Sequence, residues 1–110
     1  MKQGGTTADL VARCADELFD AEAARRPIEP LTDSFPGLSL RDAYRIQQIN
    51  VERRVGSGER IVGHKIGLTS RAMQEMFGVH EPDYGHLLDR MIQDAHAPLN
   101  LGTLIDPQIE

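Results

Sequence analysis

The sequence has no tryptophan, one cysteine, and only two tyrosines and three phenylalanines. A single thiol, Cys14, excludes an internal disulfide, and the absence of CxxC or Cys/His spacing excludes a cysteine-based zinc site. No apolar run approaches the ~20 residues of a membrane-spanning helix, and Met1 to Gly5 lead into no secretory apolar segment. The expectation is a cytoplasmic protein that makes no use of a membrane. Basic residues are also scarce. Twelve Lys and Arg stand against seventeen Asp and Glu, for a formal net charge of −5 and a pI near 5.3. Only Arg25-Arg26 and Arg53-Arg54 form basic pairs, too few to neutralise phosphates, which argues against nucleic-acid binding. What remains is a chain of 110 residues, 40% of them hydrophobic. That suffices for a single region with a small core, in which a chain this short buries only about two-thirds of its unfolded surface.

Periodicity and capping signals order this chain into helices first and strands later, an α+β arrangement without internal repeats. Thr6-Thr7-Ala8-Asp9 carries a hydroxyl cap with a carboxylate three residues on, and Val11, Cys14, Ala15, Leu18 and Phe19 then recur at helical spacing. The spacing predicts a helix over 8–25, with Cys14 as a small buried hydrophobe on its apolar stripe. Pro27, Pro30, Asp33, Pro36 and Gly37 break the periodicity and predict a connector. Ser39-Leu40-Arg41-Asp42 repeats the cap. Ala43, Tyr44, Ile46, Ile49, Val51 and Val55 support a second helix ending at Gly56-Ser57-Gly58, either an antiparallel neighbour of the first or packed against it. The β-branched run from Arg60 to Leu68 reads as a strand. Thr69 or Ser70 caps a short helix through Met73 and Met76, both expected as core filler, with Gly78 at its end. Val79 to Tyr84 reads as a turn-rich loop, Gly85 to Met91 as a short strand or a helix, and 99–104 and 105–110 as extended segments.

Chemistry concentrates around the strand. Alternation puts Ile61, Gly63, Lys65 and Gly67 on one face, so Lys65 is flanked there by glycines, which often mark a close approach of a ligand to the backbone. Lys65 is either a holder of a carboxylate or enolate, or an edge-strand lysine that discourages aggregation. The turn Leu68-Thr69-Ser70 adds backbone N–H donors next to it. His80, Glu81, Asp83 and His86 fall close together, but their spacing matches no standard ligand set, so no histidine-based metal site is expected. Asp83, between Pro82 and Tyr84-Gly85, is a turn-capping aspartate or a functional carboxylate.

The run Val62-Gly63-His64-Lys65-Ile66-Gly67-Leu68-Thr69-Ser70, followed by Met73-Gln74, Gly78-Val79 and Pro82-Asp83-Tyr84-Gly85-His86-Leu87-Leu88, resembles the 2-keto-4-pentenoate hydratases of the fumarylacetoacetate hydrolase superfamily. The likeness runs from the first helix to Ile109-Glu110. It implies an N-terminal helical and strand portion of a fumarylacetoacetate hydrolase-like fold, one region over 1–110, from which the β-rich body of a longer enzyme is missing. It further implies catalytic roles for Lys65 and Asp83, 18 positions apart, and substrate binding by Leu68, Thr69 and Ser70. Glu110 matches the first of three carboxylates that hold Mg²⁺ or Mn²⁺ in that family; the other two have no counterpart in the sequence.

The implied reaction is hydration of 2-hydroxypenta-2,4-dienoate or a homologue to a 4-hydroxy-2-oxo acid in the meta-cleavage catabolism of aromatic compounds or steroids. The implied partners are a small 2-oxo or 2-hydroxy dienoic acid, further copies of the chain in a homo-oligomer, and a pathway aldolase or decarboxylase. Two other readings stand beside it. One is 4-oxalocrotonate decarboxylase of the same superfamily, which tends to carry an apolar residue where Asp83 stands. The other is a non-catalytic interaction module whose partner chain supplies the rest of the site.

Overall fold

The computed structural model describes residues 6–109. Glu110, expected as a metal ligand, lies outside them. The described residues fall into two compact units, one holding the residues up to 53 together with those from 95 onward, the other 54–94.

In the first unit, α1 (Thr7–Ala24) starts at the expected cap: the Thr6 hydroxyl accepts from the Asp9 N–H at 3.1 Å, and the Asp9 carboxylate accepts from the Thr6 N–H at 3.0 Å. It ends at Arg25, which takes the left-handed conformation (φ 55°). The connector contains one helical turn, α2 (Leu31–Ser34), entered through Pro30. Leu31 and Phe35 fold onto the core. α3 (Leu40–Gly56) is opened by Ser39 and Asp42, which exchange two 3.0 Å hydrogen bonds between side chain and backbone.

The two long helices are a packed pair. Val11, Cys14, Ala15 and Ile46 are buried together, with Leu10, Leu31, Phe35, Leu38 and Ile49 around them. The Asn50 side-chain amide donates to the Ala15 carbonyl at 3.0 Å, Arg53 pairs with Asp16 at 2.6 Å, and the Arg53 guanidinium lies 4.5 Å from the centre of the Phe19 ring. These pairings climb both helices together, so the connector brings the chain back to run alongside α1 in the same sense. With a core this small, and about 1.5–3 kcal/mol from burying a Val or Ile side chain completely, the polar clasps along the seam matter to its definition.

The second unit is a hairpin with a helix in its connection: β1 (Ile61–Gly67), α4 (Arg71–Phe77) and β2 (Asp83–Leu88), antiparallel to β1. α4 starts at Ser70, whose hydroxyl accepts from the Met73 N–H at 3.1 Å, and stops at Gly78 with φ 69°. The expected loop up to Tyr84 is therefore shorter, and Asp83 is the first residue of a strand. Gly85 to Leu88 is strand, followed by a 3₁₀ turn over Asp89–Met91. Met73 and Met76 are not core filler: they are 42% and 73% exposed. Helical spacing shows that two residues share a face and says nothing of whether that face is covered.

The segments expected to be extended after Leu99 form a 3₁₀ turn over Leu101–Thr103 and bends beyond it. Here Asn100 overrides the β-branched residues: its side chain accepts from the Gly102 N–H at 2.9 Å, and its carbonyl from the Thr103 hydroxyl at 2.7 Å. Among the described residues no helix is long and apolar enough to cross a membrane.

Candidate functional site

In the hairpin register Lys65 stands opposite Gly85 and Gly67 opposite Asp83, while His64 faces His86 and Ile66 faces Tyr84. Cross-strand partners share a face, so Lys65, Gly67, Asp83 and Gly85 lie on one side of the sheet. The register slips between Ile61 and Gly63. This bulge carries Ile61 out of the alternation expected from sequence, because Ile61 pairs with Leu88, on the His86 side.

Lys65, Gly67, Asp83, Tyr84 and Gly85 line a cleft of about 230 Å³. Its openness around Lys65 comes from the glycines. A Cβ at Gly85 would meet nothing within 4 Å, and one at Gly63 only the Leu87 Cδ1 at 3.8 Å. Gly67 differs: a Cβ there would lie 2.6 Å from Asp83 Oδ1 and 3.6 Å from its Cγ. The carboxylate of Asp83 thus rests over the bare backbone of Gly67.

Lys65 and Asp83 are diagonal neighbours on this face, a relation that separates Cα atoms by about 7–8 Å. Both side chains are exposed, and among the described residues neither carries a hydrogen bond or ion pair. An ammonium and a carboxylate that share a cleft without neutralising each other can each engage a small acid: the first holds negative charge, the second accepts or returns a proton.

Leu68, Thr69 and Ser70 leave the strand directly after Gly67 but are not among the residues lining the cleft. The Ser70 hydroxyl is occupied as the α4 cap. Leu68 adopts φ 53°, unfavourable for a residue with a branched side chain, and its carbonyl accepts from the Gln74 side-chain amide at 2.8 Å. Gln74 holds the turn that follows the cleft. Sequence gave it no such part, since a contact across six positions has no periodic signature.

At the other end of the hairpin, the Arg60 N–H donates to Asp89 Oδ1 at 3.0 Å, and the Arg60 guanidinium lies 3.6 Å from the same carboxylate. The Arg60 N–H above all, with its guanidinium, holds the Asp89 carboxyl below the usual range. Buried Glu59 sits between Arg54 (3.6 Å) and Arg90 (3.8 Å). These pairs tie the start of β1 to the residues after β2 and so fix the register that places Asp83 beside Gly67.

The described residues do not make the three-carboxylate cage implied by the resemblance. Among them, no group of three or more His, Cys, Asp or Glu is placed to hold a metal ion, and Asp83 has no second carboxylate with it in the cleft.

No protein-family profile matches the chain. Individual proteins do. The 2-keto-4-pentenoate hydratase of Paraburkholderia xenovorans (strain LB400) is 45% identical over 96 residues, covering 87% of this chain and 36% of that protein. That of Burkholderia vietnamiensis (strain G4 / LMG 22486) is 46% identical over 100 residues, 91% of this chain and 38% of its own length. The 2-hydroxypent-2,4-dienoate hydratase of Pseudomonas putida is 41% identical over 102 residues, 92% and 46%.

Among solved structures, 4-oxalocrotonate decarboxylase from Pseudomonas putida G7 complexed with calcium and acetate superposes with a TM-score of 0.73 at 36% identity, over 78% of this chain and 33% of that one. The same enzyme complexed with magnesium and adipate gives 0.70 at 37%. The fold is therefore part of that of the fumarylacetoacetate hydrolase superfamily. Within it, the chain is similar over most of its own length to the 2-keto-4-pentenoate hydratases, of which it spans between a third and a half.

Proposed function

We propose that this chain is the N-terminal part of a hydratase that converts 2-hydroxypenta-2,4-dienoate, or a homologue with a longer side chain, to a 4-hydroxy-2-oxo acid. The observation that carries the reading is the placement of Lys65 and Asp83 in one cleft with neither neutralised by the other. The names of the relatives support it.

In this reading the dienol first ketonises: a proton leaves the 2-hydroxyl and one arrives at C5. Water then adds across the resulting double bond, oxygen to C4 and a proton to C3. Lys65 Nζ holds the carboxylate and the oxygen at C2, where negative charge gathers as the hydroxyl proton leaves. Asp83 Oδ1 or Oδ2 accepts that proton and returns one to carbon, the work of a positioned general base and acid. The N–H groups of Leu68, Thr69 and Ser70 add donors if the turn closes over the acid.

A divalent cation accompanies the neighbouring decarboxylase structures, and Mg²⁺ or Mn²⁺ is the cofactor this reading assigns, with Glu110 as one ligand. The described residues do not form its cage, and no step above depends on it. The reading further places the protein in the cytoplasm, as a homo-oligomer working beside an aldolase or decarboxylase of the same pathway.

A second reading, 4-oxalocrotonate decarboxylase, is favoured by the structural likeness. The test exchanges the matched stretch of the Paraburkholderia xenovorans hydratase for this chain and follows products from 2-hydroxypenta-2,4-dienoate and from 4-oxalocrotonate. The reading expects a 4-hydroxy-2-oxo acid from the first and no CO₂ from the second. Release of CO₂ without hydration would favour the decarboxylase. A folded exchange that does neither would favour a non-catalytic interaction module.

A further inference from the structure

The face of the hairpin opposite Lys65 carries a second arrangement of chemical groups. His64 and His86 are direct cross-strand partners, their ring centres 4.9 Å apart and their planes tilted by 56°. Tyr84 follows on the same face, its ring 6.2 Å from that of His86. His64 is exposed and His86 half-buried. The four-residue cluster visible in the sequence, His80 to His86, is not what the fold assembles; β1 brings His64 to His86 from across the sheet.

The spacing has a chemical meaning. An imidazole nitrogen binds Zn²⁺ at about 2.0–2.1 Å and stands about 1.1 Å from its ring centre, so a bound ion lies about 3.2 Å from each centre. With one nitrogen of each ring turned to a shared ion, two centres 4.9 Å apart would subtend about 100° there, between the square-planar and tetrahedral angles that Cu²⁺, Ni²⁺ and Zn²⁺ adopt.

We propose that His64 and His86 form a two-nitrogen site for a borderline divalent transition ion, Cu²⁺, Ni²⁺ or Zn²⁺, with water completing the shell. Its nitrogen chemistry differs from that of an oxygen-ligated Mg²⁺ or Mn²⁺ site, which imidazole pairs do not favour. An ion held there staples β1 to β2 one rung from the Lys65–Gly85 pair. The proposal stands whether or not the chain acts as a hydratase.

Zn²⁺ titration of the full chain, followed by the imidazole proton resonances, tests it, with Cu²⁺ electron paramagnetic resonance to count nitrogen ligands. The expected result is one saturable site at which the His64 and His86 signals move together while those of His80 and His96 do not, and two nitrogens on Cu²⁺. His64→Asn, at an exposed position, should weaken binding by about tenfold or more, having removed one of two ligands. His86→Asn should do the same, His80→Asn should change nothing, and excess Mg²⁺ should not compete. Circular dichroism checks that each variant keeps its fold. The proposal is overturned if binding survives His64→Asn unchanged, if His80 or His96 responds instead, or if no saturable site is found.

Discussion

Asp83 lies so close over Gly67 that a single added carbon on the glycine would stand 2.6 Å from its Oδ1. The atom in the way is the tip of a side chain, free to rotate aside, so the conflict costs little in stability and falls on the position of the carboxylate. Gly67→Ala should leave the melting temperature of the chain nearly unchanged, the methyl even gaining about 0.5–1 kcal/mol over glycine in strand propensity. In the exchanged hydratase the same substitution should lower kcat/KM by about 100-fold, the effect of misplacing a reacting group by about 1 Å. Steady-state kinetics beside a melting curve checks both halves. A large loss of stability with kinetics intact would make Gly67 a packing residue only.

Acid should loosen α3 through one identifiable group. The Ser39 N–H foremost, then the Ser39 hydroxyl and the nearby Arg45 and Arg41, hold the Asp42 carboxyl below its ordinary value. A carboxyl lowered in the folded state contributes stability that is fully present above the unfolded-state value, and that is lost as pH falls through that value to the folded one. Asp42→Asn should therefore lower stability near neutrality and flatten the decline below about pH 4. Melting curves from pH 7 to pH 2 for both proteins read this out. Parallel curves would show that other carboxyls, Asp89 first among them, govern the acid side.

Cys14 should be chemically silent while the chain is folded. It has no exposed surface, and burial, with the negative charge of Glu17 adding to it against Arg13, pushes its thiol up from the usual value. Since the thiolate is the reactive form, labelling by an aromatic disulfide reagent should be slow in buffer and immediate in denaturant. Rapid labelling in buffer would mean that α1 separates readily from α3.

The parts legible in the sequence are those decided within a few residues. Thr6 with Asp9, Ser39 with Asp42, Ser70 and Gly78 announce their helix ends because cap and capped group lie within one turn of each other. The Lys65 strand announces itself by β-branched residues between turns. What was not legible depends on pairing. Asp83 reads as loop because Pro82 precedes it, and only the partner Gly67 makes it the start of β2. The bulge at Val62 is invisible without the opposite strand, and so is the meeting of His64 with His86. Met73 and Met76 show the same limit from the other side, since their spacing marks a shared face and cannot say whether anything covers it. The glycines around Lys65 could be seen in β1, but Gly85, the third, is brought there by the register.

The central claim is that Lys65 and Asp83 act on one substrate from one cleft. The most direct measurement is kcat/KM for 2-hydroxypenta-2,4-dienoate in the exchanged hydratase carrying Lys65→Ala, Asp83→Asn or both, with melting curves alongside. The account predicts losses of about 100-fold or more for each single change, melting temperatures nearly those of the parent because both side chains are exposed, and a double variant far less impaired than the product of the two losses. Kinetics unchanged by Lys65→Ala, or losses that multiply as for independent sites, would contradict it.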